Sequence, residues 1–314
     1  MTGLGRLLTV ATLPLMVLLI FWASGVTEER PAQELPAGSL VFADLRGSAL
    51  HVWTLPDGEV RSLRLPGAPH ELVLLGEKVY VTLAREDSLL AVYPSAPALA
   101  GELPLQGYPH GIATDGLDLY VALGERDRVV RIPPDSAAPA AEWVTGGRPH
   151  ALTVADGRIW VAEASDGTVR ALGSGRPVSV GGLPESIATL ADGRLAVADA
   201  TGAVAVIDPE TLEVRRFAVG GRPVRAVGLA DGSVAVADAG LMRLVVFDPE
   251  QEAVVATVPV GALPDGVCRS VDGEFLAVTS AAAAKVAIFS VRTWEVVLER
   301  QFGEGLGSCL WLAR

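Results

Sequence analysis

The sequence lacks the short motifs that mark most catalytic and cofactor-binding centres. Its 314 residues contain only two cysteines and four histidines, and no His-Glu-x-x-His, Cys-x-x-Cys, P-loop or Gly-x-Ser-x-Gly pattern occurs. Each of these patterns supplies ligands or nucleophiles at a spacing that its chemistry requires. The enzyme classes that these motifs define are therefore excluded.

Positive charge is also scarce. Lys and Arg number 25 against 37 Asp and Glu, so the formal net charge is −12. A nucleic-acid backbone is bound through clustered cations, which this composition does not favour. Nucleic acid is therefore not an expected partner. The acidity fits a soluble exported protein, and a basic partner is the alternative that it leaves open.

A long apolar run occurs once, from Leu7 to Ala23, directly after Arg6. A positive start, an apolar stretch and small residues at its exit are typical of an export signal, and about 17 residues is also the lower limit for spanning a bilayer. We expect residues 1–25 to be a signal peptide or an N-terminal membrane anchor, and residues 26–38 a linker. The remainder of the chain then lies outside the cytoplasm, where it is secreted, periplasmic or anchored so that it faces outward. It contacts a membrane only through the N-terminal segment.

Helical periodicity is absent as well, and a repeat takes its place. A Gly-x-Pro corner, with Ala for Gly in the last copy, recurs roughly every 40 residues. The corner prolines are Pro69, Pro109, Pro149, Pro184, Pro223 and Pro264. A fixed period of this length predicts one repeat domain over residues 39–314.

Each repeat contains four short apolar segments separated by turn residues. In the copy that begins at Gly182, the separators are the pair Asp192-Gly193, then Gly202, then Pro209. Asp-Gly suits a tight hairpin because glycine adopts a positive φ at little cost. A single sheet of four strands cannot bury both faces, whereas radial stacking of such sheets does. The pattern therefore predicts an all-β propeller.

Six corners give six complete blades, and the two ends of the chain complete a seventh. Residues 39–66 supply three strands without a corner, and the segment after Gly303 supplies one strand and stops. Pairing these strands closes the ring and removes free sheet edges. The prediction is a seven-bladed β-propeller whose seventh blade is closed by the C-terminal strand joining the N-terminal strands.

The repeats resemble those of known propeller families. Residues 204–239 are similar to the YVTN-type repeat, in which a strand ending in Val-Ile-Asp leads to a Val-Gly-x-x-Pro corner and an Asp-Gly hairpin. The copy at Gly107 is similar to an NHL repeat. The copy at Gly147 resembles repeats of the streptogramin B lyases, with Trp160 and Glu163 in one strand. These families include lyases, lactone hydrolases, dehydrogenases and interaction scaffolds, so the resemblance implies the fold and not the activity.

Histidine supplies the candidate site. We call the residue after each corner proline the corner slot, and we expect it at the mouth of the central channel. The charged and imidazole residues in these slots are His70, His110, His150, Glu185 and Asp265. Imidazoles beside carboxylates form a ligand or substrate site, and His70, His110 and His150 also resemble the ligand set of a divalent transition metal. A third interpretation is that the repeated histidine only bonds a neighbouring loop carbonyl.

The two cysteines, Cys268 and Cys309, hold equivalent positions in the last two repeats. An even number of cysteines in an exported protein suggests a disulfide, which would fasten the C-terminal strand. Two buried thiols are the alternative, because adjacent blades bring Cα atoms within about 6.8 Å only near the axis.

Together these features predict an exported binding or interaction module, with a small molecule or a protein at the channel mouth. The rival hypothesis is an enzyme like the streptogramin lyases, metal-dependent or not, with His110 or His150 as base and Glu185 nearby. That analogy is weakened because we expect Trp160 and Glu163 in one copy only. A scaffold within a membrane-bound complex is a third possibility.

Removal of the N-terminal segment tests the export hypothesis. A chain that starts at Glu34 should keep its melting temperature and stay in the cytoplasm of the producing cell, because the apolar run is not part of the repeats. Thermal melts and cell fractionation measure the two effects. Failure of the shortened chain to fold, where the full chain folds in detergent, contradicts the hypothesis.

Overall fold

A computed structural model describes residue 35 and residues 37–313 apart from 57 and 304. All of these residues belong to one compact unit, Glu34–Arg314. The predicted signal peptide or anchor at 1–25, and nearly all of the linker, lie outside the described residues. Within the described part no helix is long and apolar enough to cross a membrane.

The described residues form 28 short β-strands. In chain order they are β1 Gly38–Asp44, β2 Ala49–Leu55, β3 Val60–Arg64, β4 Leu72–Leu75, β5 Lys78–Leu83, β6 Ser88–Tyr93, β7 Ala98–Pro104, β8 Pro109–Thr114, β9 Leu119–Leu123, β10 Arg128–Ile132, β11 Ala141–Val144, β12 Pro149–Ala155, β13 Arg158–Glu163, β14 Thr168–Ala171, β15 Val178–Ser179, β16 Pro184–Thr189, β17 Leu195–Asp199, β18 Ala203–Ile207, β19 Val214–Ala218, β20 Pro223–Gly228, β21 Val234–Asp238, β22 Arg243–Asp248, β23 Ala253–Pro259, β24 Pro264–Arg269, β25 Phe275–Ser280, β26 Lys285–Ser290, β27 Val296–Gln301 and β28 Leu306–Ala313.

The strands make seven four-stranded antiparallel sheets. Blades 1 to 6 contain consecutive strands, from β4–β7 in blade 1 to β24–β27 in blade 6, whereas blade 7 has the order β28-β1-β2-β3. This arrangement confirms the seven-bladed β-propeller, including the closure of blade 7 by the C-terminal strand. Five strands, including β8, β12 and β24, begin at the corner proline itself, so the repeat marks the start of the innermost strand.

The core lies between the blades. Middle strands such as β17 and β18 are buried along their whole length, whereas the outer strand β7 is almost entirely exposed. A sheet covered on both faces needs apolar residues at every position, which explains the continuous Val, Ala and Leu of the middle strands. Seven hydrophobic clusters result, one at each joint between neighbouring blades.

Ring closure depends on β28. It pairs with β1 from Gly38 opposite Ala313 to Asp44 opposite Leu306, with an irregularity before Asp44. Cys309 on β28 forms a disulfide with Cys268 on β24, and their Cα atoms are 5.7 Å apart. The innermost strands of blades 6 and 7 are therefore joined covalently, at the joint that completes the ring.

Buried carboxylates anchor the loops beside the corners. Each sits at the end of a blade's second strand, is fully buried, and pairs with an arginine of the same blade. The pairs are Glu163 with Arg170, Asp199 with Arg216 and Asp238 with Arg243. Each carboxylate also accepts a backbone N–H from the preceding corner, from Gly146, Leu183 and Arg222 respectively. Glutamate occupies this position in blade 3 only, as expected, but its carboxylate is one member of a structural pair that aspartate repeats in blades 4 and 5.

The same position in blade 7 holds Asp44, and a histidine replaces the arginine. His51 Nε2 lies 3.4 Å from Asp44 Oδ2, while its Nδ1 lies 2.7 Å from Ser62 Oγ. The grouping superficially resembles a catalytic triad. Its agreement with the carboxylate–arginine pairs of blades 3, 4 and 5 explains it as a structural link between strands.

The disulfide should contribute substantially to stability. Cross-linking residues 41 apart removes loop entropy from the unfolded chain, which corresponds to about 4 kcal/mol. Cys268→Ser/Cys309→Ser should lower the free energy of unfolding by about that amount in denaturant titrations.

Treatment with a reductant is the control for this change. It should destabilise the natural chain and leave the double variant unaffected, because the variant has no disulfide to reduce. An unchanged unfolding midpoint in the double variant would show that hydrogen bonds and packing alone close the ring.

Candidate functional site

The five residues predicted from the corner slots line one cavity. His70, His110, His150, Glu185 and Asp265 surround a space of about 270 Å³ at the end of the channel where the innermost strands begin. They converge because each blade places its slot residue at the same point of its innermost strand. Val224 of blade 5 also lines the cavity, as does Leu45 from a loop of blade 7.

Three corners hold large side chains in a backbone conformation that favours glycine. Tyr108, Arg148 and Leu263 each precede a corner proline and have φ of 61°, 53° and 51°. The left-handed conformation costs a non-glycine residue roughly 1–2 kcal/mol. In blades 4 and 5 the positive φ falls one residue earlier, on Gly182 and Gly221, where it costs little. The three exceptions place an aromatic ring, a guanidinium and an isobutyl group beside the cavity.

The three histidine rings lie next to one another along the cavity wall, tilted against each other by 52° and 31°. Ring centroids lie 5.0 Å apart for His70 and His110, and 4.1 Å apart for His110 and His150. The Tyr108 ring stacks on His110 at 6.2 Å. A second cavity of about 330 Å³, lined by Tyr108 and Arg148, shares His110 and His150 with the first. The imidazoles therefore separate two adjoining spaces.

Two of the histidines also join neighbouring blades. His110 Nδ1 lies 3.2 Å from the carbonyl oxygen of His150, and His150 Nδ1 lies 2.8 Å from that of Glu185. A carbonyl only accepts, so both rings carry their proton on Nδ1 when they donate these bonds. The neutral rings therefore keep a lone pair on Nε2, and the carbonyl hydrogen bond of the structural interpretation is present for these two residues.

His70 differs from its two counterparts. The carbonyl of His110, which its ring would otherwise reach, accepts a hydrogen bond from Thr82 Oγ1 at 2.8 Å. The His70 ring makes no hydrogen bond or ion pair with any residue that the structure describes. Both of its ring nitrogens are thus free for a ligand.

Sequence reasoning missed an ion pair that crosses the channel. Arg225 of blade 5 contacts Glu71 of blade 1 through both guanidinium Nη atoms, at 3.0 and 2.7 Å. Ser308 of blade 7 donates to the same carboxylate at 3.1 Å. The two charged residues occupy the position after the corner slot. The equivalent residues of the other blades are small, namely Gly111, Ala151, Ser186, Gly266 and Gly307. Two large residues of opposite charge at a position that is otherwise small are the feature of the sequence that could have revealed the ion pair.

Every joint between blades carries a polar link near the axis. In ring order the linked atoms are Thr82 Oγ1 with His110 O, His110 Nδ1 with His150 O, His150 Nδ1 with Glu185 O, Ala226 N with Ser186 Oγ, Arg225 Nε with Asp265 O, Thr279 Oγ1 with Gly307 O, and Ser308 Oγ with Glu71 Oε2. The links use different residue types, so no single sequence position reveals them.

Burial and the central ion pair set the protonation states. Burial lowers the pKa of His110 to about 3 and also lowers the pKa values of His70 and His150, so all three are neutral near pH 7. Burial by itself would raise the pKa of Glu71, but the neighbouring Arg225 outweighs it and the net pKa is lowered. Burial raises the pKa of Asp265, and Arg225 only partly opposes that rise.

The three-histidine metal hypothesis gains no support from this geometry. Among the described residues, no group of three His, Cys, Asp or Glu side chains is placed to hold a metal ion. Metal–nitrogen bonds of about 2.1 Å require nitrogen atoms that converge on one point. Here the rings of His110 and His150 lie side by side with their centroids 4.1 Å apart, and the Nδ1 atoms of both are bonded to carbonyls.

Comparisons with known proteins support the fold and assign no activity. No protein-family model matches the chain, and no curated protein matches it significantly. Among solved structures, a streptogramin B lyase is similar with a TM-score of 0.67 and 15% identity, covering 77% of this chain and 86% of that one.

Two further structures are similar over more of the chain. A functionally unknown protein from Desulfotomaculum acetoxidans gives a TM-score of 0.76 at 13% identity, covering 88% of this chain and 99% of that one. Apo AztD from Citrobacter koseri gives 0.69 at 11% identity, covering 89% and 98%. At these identities the likeness shows the propeller fold alone.

The histidines should differ in their effect on stability. His110→Ala removes the donor to the His150 carbonyl and should lower the free energy of unfolding by about 1 kcal/mol. His70→Ala removes no hydrogen bond and should change it by less than about 0.5 kcal/mol. Denaturant melts of the two variants measure the difference. Equal costs would contradict the assignment of the link to His110.

Proposed function

We propose that this protein is an exported binding module whose channel-mouth cavity takes a small ligand with an ammonium-like, hydrogen-bond-donating group. The observation that carries the proposal is the pair His150 and Glu185. His150 Nε2 lies 3.5 Å from Glu185 Oε2, yet the proton of the neutral ring is on Nδ1. Two acceptors that face each other are stabilised by a donor that both can share.

Acceptors also predominate among the other groups of the cavity wall. The His110 Nε2 lone pair and the carboxylates of Glu185 and Asp265 accept hydrogen bonds, and the neutral His70 ring offers one acceptor and one N–H donor. Of the two guanidinium groups that line the cavity, Arg225 is bonded to Glu71 and to the Asp265 carbonyl and lies 3.7 Å from the Asp265 carboxylate, and Arg222 is exposed. Three carboxylates therefore face two guanidinium groups, and the electrostatic balance favours a cation.

The protonation states favour binding over acid–base catalysis. A general base works best when its pKa lies near the working pH. His110, with a pKa of about 3, is a weak base, and burial also lowers the pKa of His150. The streptogramin-lyase hypothesis relied on one of these two residues. A neutral imidazole that accepts a hydrogen bond from a ligand fits the lowered pKa of both histidines.

The extracytoplasmic location is part of the proposal. The Cys268–Cys309 disulfide supports it, because disulfides persist in oxidising compartments and are rare in the cytosol. The apolar run at residues 7–23 of the sequence supports it independently. Export and binding together describe a protein that meets its ligand outside the cytoplasm.

Titration with n-butylammonium chloride tests the proposed site. The histidine ring signals in NMR spectra should shift saturably at pH 7, whereas n-butanol and sodium chloride should leave them unchanged. Binding should weaken as the pH falls through the pKa of Asp265, which burial raises above its ordinary value, because the carboxylate then gains a proton and loses its charge.

Glu185→Gln is the decisive variant. Its amide supplies an internal donor to His150 Nε2, so binding should fall at least tenfold while thermal stability is kept. A variant that binds n-butylammonium as tightly as the natural chain overturns the proposal. A saturable response to zinc chloride, lost with chelator, in place of a response to butylammonium would replace the organic cation with a metal.

A further inference from the structure

The cavity has a second side that the proposed binding group does not use. Blades 1 to 4 contribute its imidazoles, Glu71 and Glu185. The side formed by blades 5 to 7 is lined by Leu45, Val224, Ala239, Leu263 and Ala281, together with the charged residues Asp265, Arg222 and Arg225. A group held between His150 and Glu185 occupies only the first side, so the rest of any bound molecule faces the apolar side chains of the second, which we call the apolar wall.

The apolar wall continues outward onto the protein surface. Leu263 is 50% exposed, and Leu241 and Met242, which follow Ala239 in the same loop, are 53% and 51% exposed. We call residues 239–242, 261–263 and 281–284 together the apolar rim. Exposed apolar groups that are contiguous, instead of scattered, mark interaction surfaces.

Backbone hydrogen bonds hold the rim together as one surface. The Val260 amide donates to the Met242 carbonyl at 3.1 Å, and the Ala281 amide donates to the Leu263 carbonyl at 2.9 Å. The Ala282 amide donates to the Ala262 carbonyl at 3.1 Å. The loops of blades 5 and 6 are thus fixed side by side, next to the cavity.

The other blades show that this composition is not required by the fold. The loops between the second and third strands read ARED at 84–87, GERD at 124–127, ASDG at 164–167, ATG at 200–202 and LRGS at 45–48. In blades 5 and 6 the same loops read AGLM and AAAA. Polar residues are therefore compatible with this turn. Their replacement by apolar residues is confined to blades 5 and 6, next to the cavity.

We propose that the ligand is an amphiphile, with a terminal ammonium group between His150 and Glu185 and an unbranched alkyl chain along the apolar rim. The inference rests on the proposed function and adds the part of the ligand that the polar side does not specify. Neighbouring sheets lie roughly 10 Å apart, a span that an eight-carbon chain covers. Buried methylene groups add affinity in proportion to their number.

The chain-length dependence of binding tests this inference. With the folded full-length protein, n-octylammonium should bind at least tenfold more tightly than n-butylammonium, because four added methylenes lie on the rim. Octanoate, which has the same tail and a carboxylate, should not bind. Leu241→Ser/Met242→Ser should reduce the affinity for octylammonium to that for butylammonium and leave butylammonium binding unchanged.

A matched control removes exposed apolar side chains elsewhere. Leu117 and Val271 are 77% and 70% exposed and lie outside the rim and the cavity lining. Leu117→Ser/Val271→Ser should therefore leave both affinities at the values of the natural chain. A loss of octylammonium binding in this control would show that the tail adheres nonspecifically, which overturns the inference.

The remaining outcomes separate the inference from the proposed function. Equal affinity for the butyl and octyl ammonium ions overturns the inference alone, because the polar side still binds. Absence of binding by either ion removes the proposed function with it. Tight binding of octanoate, or rim-dependent sedimentation with neutral phosphatidylcholine vesicles without a chain-length effect, also overturns the inference, the latter by assigning the rim to a membrane surface.

Discussion

The structure depends on how seven sheets are held together where they converge. Packing between blades is apolar and less directional than hydrogen bonding, so it specifies the relative height of neighbouring sheets less sharply. The polar link at each joint fixes the relative height of neighbouring innermost strands, because a hydrogen bond tolerates little displacement. The requirement explains why imidazole, hydroxyl and guanidinium groups lie near the axis of an otherwise apolar body. It also means that scaffold and candidate site share residues.

This sharing determines the chemistry that is left for a ligand. His110 and His150 use one ring nitrogen for the scaffold, so the tautomer is set by structure and the second nitrogen becomes an acceptor. The His70 ring does not bond the next blade, because Thr82 donates to the His110 carbonyl in its place. The result is a wall on which the Nε2 acceptors of His110 and His150 lie beside carboxylates. The proposed preference for a hydrogen-bond donor follows from the way the ring is built.

The sequence predicts the fold well because each blade repeats the same turn chemistry and strand pattern, and it predicts the corner slots because position in a repeat maps to position around the axis. It does not predict which slot residues are bonded to the scaffold, since that depends on carbonyls in the next blade. The Arg225–Glu71 pair joins residues 154 positions apart, in blades that are not neighbours in the ring. In the sequence, Glu71 and Arg225 stand out only as large residues at a repeat position that holds a small residue in the other blades. Glu163 shows the converse case, since a glutamate that occurs in one repeat only has aspartate counterparts.

The ion pair between Arg225 and Glu71 affects how a ligand could pass along the axial channel of the propeller. A propeller has an axial opening, but here two long side chains meet across it and are held by Ser308 and the Asp265 carbonyl. At this level the pair obstructs the axial opening. A ligand of the proposed cavity would therefore enter and leave on the corner side, and whatever receives it would have to approach that same face.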